Sequence, residues 1–159
     1  AIFITSCSDD DDPQPENRIV GTGSATAIDD TGVSTTTSSG VPIENDFSGS
    51  AKDVDYTVSF NEDGTFTSSG SFTLEITTEF LGSTINQDIP VTSEEALGSG
   101  NWERNGDTIT TTVDGQSGET QIIELTDSRL ELETSVVQTM VDSGVETVFE
   151  INFTITLER

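Results

Sequence analysis

Alternation of apolar and polar residues is the feature that most constrains how this chain can fold. In the last segment, seven side chains on one set of alternate positions are apolar or threonine: Val145, Thr147, Phe149, Ile151, Phe153, Ile155 and Leu157. A similar period of two runs through residues 54–60 and 65–80. This period places alternate side chains on opposite faces of a β-strand. The sequence therefore predicts long strands that each have one buried face.

Turn residues between these segments predict antiparallel connections. Residues 61–64, Asn-Glu-Asp-Gly, join the strands at 54–60 and 65–80 into a long hairpin. Asn105-Gly106 is the strongest short hairpin signal in the chain. Further strands are predicted at residues 18–28, 84–91, 98–104, 108–113, 120–126, 129–137 and 145–157, with turns at 29–32 and 115–118. Residues 33–41 are either an edge strand or a loop, and residues 92–97 are predicted as loop.

Eight to ten closely spaced strands with tight turns are typical of an all-β domain. We therefore expect an antiparallel up-and-down β-barrel of about eight strands, with a β-sandwich as the alternative. Pairing between the first and last strands would distinguish the barrel from the sandwich.

Charge and composition exclude several classes of function. The chain has a formal net charge of −25, with 30 acidic residues against 5 basic ones. Nucleic-acid binding needs a basic surface, so no nucleic-acid partner is expected. The sequence has no histidine, which removes the commonest general base and the commonest metal ligand.

No motif in the sequence combines the residue types that catalysis or a metal site requires. Asp29-Asp30, residues 61–63 and Asp107 are the candidate calcium ligands, but none fits the spacing of an EF-hand loop. Aspartate and asparagine are also common in turns for conformational reasons. We expect no enzyme, no metal and no cofactor.

The N-terminal segment carries a second recognisable pattern. The apolar residues 1–4 lead into Ile4-Thr5-Ser6-Cys7, and Cys7 is followed by Ser8 and by the acidic run Asp9, Asp10, Asp11 and Asp12. This segment resembles the lipobox of a bacterial lipoprotein. The resemblance implies cleavage before Cys7 and its acylation, for example with palmitate.

The acidic run resembles the export signal of surface lipoproteins in Bacteroidota. That resemblance implies a membrane partner through the lipid anchor, at the outer membrane and on the cell surface. Three regions are expected. Residues 1–6 are a truncated signal-peptide remnant, 7–18 a lipidated tether that contains prolines, and 19–159 the β-barrel domain.

Three motifs in the predicted barrel also resemble the lipocalin-like domains of Bacteroidota lipoproteins. Residues 56–67 contain Asp-Gly-Thr-Phe in a hairpin, residues 100–110 carry Gly-Asn-Trp before Asn-Gly, and residues 123–132 form the third. The resemblance covers about residues 18–158, but the tryptophan that lipocalins place in the first strand is missing at Gly21-Thr22-Gly23.

The lipocalin-like resemblance implies a non-catalytic module that binds a small apolar or amphipathic ligand. The residues expected to line that ligand or to form the core are Tyr56, Val58, Phe60, Phe66, Phe72, Leu74, Trp102, Phe149, Ile151 and Phe153. Large side chains on the last strand favour a filled interior, whereas Gly21, Gly23, Ala25 and Ala27 could leave room. The alternative is a structural protein whose filled barrel presents an acidic surface to a cell-envelope partner.

Overall fold

The computed structural model describes residues 19–159. The predicted signal remnant, Cys7 and the acidic tether therefore lie outside the described residues. The described part contains nine β-strands and one short helix, with these bounds: β1 Gly21–Ser38, β2 Val41–Phe60, β3 Thr65–Phe80, β4 Ser83–Thr92, α1 Ser93–Ala96, β5 Ser99–Asn105, β6 Thr108–Val113, β7 Gln116–Leu125, β8 Arg129–Asp142 and β9 Val145–Glu158.

The strands form one antiparallel sheet whose hydrogen-bonded order closes into a ring. The order is β2-β1-β9-β8-β7-β6-β5-β3-β4, and β2 pairs with β3 as well. Eight strands therefore follow one another around the ring, while β4 pairs with β3 outside it. The first and last strands pair from Ser24↔Glu158 to Thr37↔Glu146. This pairing agrees with the predicted all-β, barrel-like architecture and not with a sandwich.

Apolar side chains fill one end of the ring, which we call the closed end. The buried apolar residues there are Ile19, Ile28, Tyr56, Val58, Phe60, Phe66, Phe72, Leu74, Ile109, Leu130, Leu132 and Leu157. On β2 they occupy alternate positions, as the period of two predicts. The rings of Phe60 and Phe66 lie 6.2 Å apart, and Phe60 meets Trp102 edge to face at 5.4 Å. The predicted hairpin of β2 and β3 is confirmed.

Six strands continue past the closed end as an open sheet. The ladder between β7 and β8 stops at Glu133, and β5 pairs with β3 only at residues 65–67. Beyond those points, β8, β9, β1, β2, β3 and β4 remain paired as far as their own turns. We call residues 31–48, 75–88 and 134–152 the open half.

The predicted turn at residues 29–32 is wrong, because β1 runs unbroken to Ser38 and turns at Ser39-Gly40. Residues 29–32 pair with β2 on one side and with β9 on the other. Two aspartates and a glycine favour a turn locally, but hydrogen-bonded ladders on both sides outweigh that preference. The ambiguous residues 33–38 are consequently part of an interior strand.

Three smaller boundaries also differ from the sequence prediction. Residues 93–96 form one turn of helix instead of loop, and the Thr92 N–H donates to the Glu95 carboxylate at 2.9 Å. A glutamate that accepts from the backbone N–H of the capping residue in this way stabilises a helix start. β7 begins at Gln116, and β8 continues to Asp142 instead of ending at residue 137.

The large inner side chains of β9 fill the interior at the closed end but not in the open half. Leu157 is buried, and Phe153 and Ile155 pack partly against the core, but Val145 keeps 38% of its surface exposed. β9 extends beyond the part of the ring that β5, β6 and β7 complete. The first half of β9 therefore has no described strand opposite its inner side. Gly23, one of the four small residues that could have left room, leaves none, because a Cβ there would lie 2.8 Å from the Cβ of Leu157.

Candidate functional site

The face of the open half that continues the barrel interior is the candidate site, and we call it the open inner face. Strand register defines it, since Cα partners in an antiparallel ladder share a face. Ile28 and Asp30 on β1 pair with Ile155 and Phe153 on β9, so the odd-numbered side of β9 is the inner side. By the same register, the inner positions of the open half are odd-numbered on β2 and β4 and even-numbered on β3 and β8.

Exposed large apolar side chains are concentrated on this open inner face. Seven of them lie there: Val41 at 61% exposure, Ile43 at 44%, Phe80 at 39%, Ile85 at 53%, Val136 at 39%, Met140 at 53% and Val145 at 38%. They form two groups, one on β2, β3 and β4 and the other on β8 and β9, with Thr36 and Thr147 between them. Exposed apolar surface of this kind commonly marks a binding site. The open inner face is therefore the part of the described molecule best suited to an apolar ligand.

Two aromatic rings lie on the open inner face near its boundary with the core. Phe47 and Phe149 meet edge to face, with ring centroids 6.5 Å apart. Gly32 lies between their strands and pairs with Phe47. The Phe47 ring lies over Gly32 on β1. A Cβ on Gly32 would collide with that ring, so the position requires glycine.

Asp30 lies at the level where the filled core gives way to the open inner face. It is 3% exposed, and its Oδ1 has no hydrogen-bond partner among the described residues. The carboxyl group rests over Gly49, where a Cβ would collide with Oδ1. Burial, followed by the charge of Asp29, raises the pKa of Asp30 above its usual value. A ligand hydroxyl or amine that reached Oδ1 would satisfy this buried acceptor.

The outer face of the open half has the opposite chemistry. Its alternate positions include Glu44, Asp46, Glu75, Glu79, Asp88, Glu146 and Glu150. Lys52 bridges two of these acids across three strands, with Nζ 2.9 Å from Glu75 and 2.7 Å from Asp88. The outer face is thus the more acidic of the two, whereas the inner face carries seven of the exposed large apolar side chains.

The predicted site residues separate into two groups in the structure. Tyr56, Val58, Phe60, Phe66, Phe72 and Leu74 are buried in the closed end and form core. Trp102 packs against that core and donates from Nε1 to the backbone oxygen of Asn61 at 3.1 Å. Phe149, Ile151 and Phe153 lie half-buried on the inner side of β9. Cys7 and residues 8–12 lie outside the described residues.

Sequence reasoning missed the part of the open inner face that β2 and β4 supply. Val41, Ile43 and Phe47 fall on odd positions and share the inner face of β2. Ile85 contributes the same face of β4. The alternation of residues 41–47 was a usable signal, but the neighbouring serine and threonine residues obscured it.

The regions considered for calcium do not combine into a metal centre among residues 19–159, where no group of three or more potential ligands occurs. Asp63 instead stabilises its own turn, accepting from the Thr65 N–H at 2.9 Å and from the Thr65 hydroxyl at 2.6 Å. These hydrogen bonds lower the pKa of Asp63. An open depression of about 510 Å³ lies beside this turn, at the closed end, and is lined partly by Glu62 and Asp63.

The described residues form no helix that has both the length and the apolar character needed to span a membrane. The chain matches no family model, no curated protein and no solved structure.

Proposed function

We propose that this chain is a non-catalytic binding module that carries a small apolar or amphipathic molecule on the open inner face. The observation that supports the proposal is the set of seven exposed large apolar side chains on that one face. Removing apolar surface from water contributes about 25 cal/mol per Å². An apolar molecule that covers these side chains would therefore gain affinity from their burial.

The position of Asp30 favours an amphipathic ligand over a purely apolar one. Its carboxyl group is buried at the inner limit of the open inner face and has an unsatisfied oxygen. A buried acceptor without a partner is costly, so a donor on the ligand would gain more there than in water. Such a ligand would place its apolar body along Phe47 and Phe149 and its hydroxyl or amine toward Asp30.

The proposed module is held at the outer membrane by a lipid on Cys7. The support is the lipobox-like segment and the acidic residues 8–12 that follow it. Metabolic labelling with a clickable palmitate should mark the wild-type chain and leave Cys7→Ala unmarked. Replacing Asp9–Asp12 with alanine should reduce protease shaving of the protein on intact cells, because the acidic run is the proposed export signal. Absence of label on the wild-type chain would contradict the anchor.

Ligand binding can be tested with N-phenyl-1-naphthylamine, a neutral apolar fluorophore that the acidic chain does not repel. Ile85→Asn should weaken its binding, because Ile85 lies on the open inner face with 53% of its surface exposed. Ile123→Asn is the matched control, since Ile123 is 54% exposed on β7, outside the open half. We expect only the first variant to weaken the fluorescence titration.

Equal effects of these two variants, or no binding by the wild-type chain, would contradict the proposed ligand site. Mass spectrometry of molecules that co-purify with the chain is an independent test, because it identifies the class of the natural ligand. An amphipathic molecule whose recovery falls in Ile85→Asn but not in Ile123→Asn would support the proposal directly.

A structural role is the second candidate function, and the filled closed end favours it. In that case the acidic outer face would contact a cell-envelope protein, and the charges of Glu44, Asp46 and Glu150 would be needed. Their replacement by glutamine or asparagine should abolish cross-linking to that partner while leaving fluorophore binding unchanged. Loss of fluorophore binding in the same variant would argue against separate roles for the two faces.

A further inference from the structure

The outer edge of β8 in the open half is not explained by ligand binding. β8 pairs with β7 only from Leu130 to Glu133, and beyond that point its partner among the described strands is β9 alone. The side chains of residues 135–142 are all exposed. The backbone N–H and C=O groups on this side of β8 are thus available for pairing with another strand.

The chemistry of this edge suits pairing with another strand. Residues 135–141 contain no charged residue and no proline, in a protein with a net charge of −25. Both faces also carry exposed apolar side chains, namely Val136 at 39% and Met140 at 53% on the inner face, and Val137 at 69% and Val141 at 68% on the outer face. A long exposed edge strand that is apolar and uncharged lacks the features that normally prevent pairing with another strand.

The opposite edge of the same sheet is less suited to strand pairing. Within the open half, β4 exposes one large apolar side chain, Ile85, and ends at Asp88, which Lys52 holds at 2.7 Å. Pro90, which has no N–H to donate, follows two residues later. β8 exposes four large apolar side chains along its edge, so it is the edge with the properties of an interface.

We propose that two copies of this chain pair their β8 edges antiparallel, about a two-fold axis at Gln138. In this register Gln138 faces Gln138 of the other copy, and Val136 faces Met140 of the other copy on the inner side. Val137 faces Thr139 of the other copy on the outer side. The pairing would join two open halves into one sheet with a continuous inner face.

A second copy fits this edge because apolar side chains face apolar side chains on the inner side and no charges face each other. The ladder spans residues 135–141, so the flanking carboxylates of Glu133 and Asp142 fall outside it and do not face each other. An interface with two-fold symmetry uses the same patch on both copies and closes at a dimer. Because each copy carries a net charge of −25, the dimer should become more stable as salt increases.

Sedimentation velocity on the full chain tests the proposal, with a reductant present so that Cys7 cannot form a disulfide. The wild-type chain should show a concentration-dependent dimer that strengthens from low to high salt. Gln138→Glu and Gln138→Lys should each raise the dimer dissociation constant by about ten-fold or more, because like charges would face each other at the axis. Mixing the two variants should restore dimers by pairing opposite charges.

The matched control is Gln87→Glu, the same chemical change at an exposed position on β4. It should leave the dissociation constant unchanged. A wild-type chain that stays monomeric, open-ended association, or a dimer that tolerates both Gln138 variants would overturn the proposal. Failure of the mixed variants to form dimers would overturn the two-fold register.

Discussion

The closed end and the open half are made from the same strands, yet their inner side chains have different surroundings. Phe66 and Leu157 at the closed end are each 1% exposed, whereas Ile43 and Phe80 in the open half keep 44% and 39% of their surface exposed. The period of two is unchanged along these strands. What differs is the presence of strands opposite these side chains, since β5, β6 and β7 complete the ring only at the closed end.

The sharpest test of this difference compares two phenylalanines on the same strand. Phe66→Ala should lower the free energy of unfolding by about 3–5 kcal/mol, because it removes a fully buried ring and leaves a cavity. Phe80→Ala should cost about 1 kcal/mol or less, since much of that ring already contacts water. Urea unfolding of both variants measures the difference. Similar losses would show that the open half is packed as tightly as the closed end.

The sequence was sufficient to predict the parts of the fold that local patterns determine. The alternation of Tyr56, Val58 and Phe60 predicted a buried face, and the structure confirms it. The turn residues at 61–64 and at Asn105-Gly106 predicted hairpins that are also present. In these segments, strand propensity, turn chemistry and tertiary packing favour the same structure.

The sequence was not sufficient to show where the ring ends. The same odd-numbered pattern continues through Phe149 and Leu157, although only Leu157 is buried. Whether an inner side chain is covered depends on β7 leaving β8 after Glu133, which is a property of strand length and register. The burial of Asp30 was missed for a related reason, because two adjacent aspartates shortly before a glycine are more often found in a turn than in an interior strand.

Asp30 marks the boundary between the two regions, and its charge should make that boundary sensitive to pH. Its pKa is raised, so the folded state holds the proton more tightly than the unfolded chain, whose value is near 3.8. The resulting stability is fully present below pH 3.8 and is lost as pH rises through the raised pKa. At neutral pH, Asp30→Asn should therefore stabilise the fold by about 1–2 kcal/mol. This gain should shrink toward pH 3.

Thermal and urea unfolding at neutral and acidic pH would measure this dependence. Asp46→Asn is the control, because Asp46 is exposed on the outer face of β2 and should change stability by less than about 0.5 kcal/mol at either pH. A gain in Asp30→Asn that persisted unchanged at pH 3 would show that ionisation of Asp30 is not the cause.

The smallest expected effect concerns β4, the strand that lies outside the ring. Lys52 on β2 reaches across β3 to Asp88 on β4, and its hydrogen bonds with Asp88 and Glu75 raise its pKa. All three side chains are about half exposed, so solvent and salt screen the attraction. Lys52→Gln should lower the melting temperature only slightly, and less in high salt than in low salt. Amide hydrogen exchange should nevertheless accelerate in residues 83–92, because among the described strands β4 pairs with β3 alone.

The matched variant Lys52→Arg keeps the positive charge and should restore slow exchange in β4. The same measurement separates the two regions of the molecule, because the closed end does not contact this ion pair and its amides should exchange at the wild-type rate. If exchange in residues 83–92 were as slow in Lys52→Gln as in the wild-type chain, the β3–β4 ladder alone would hold the strand. If exchange accelerated at Phe66 and Leu157 as well, the open half and the closed end would unfold as one cooperative unit, and the distinction between them would be one of exposure and not of stability.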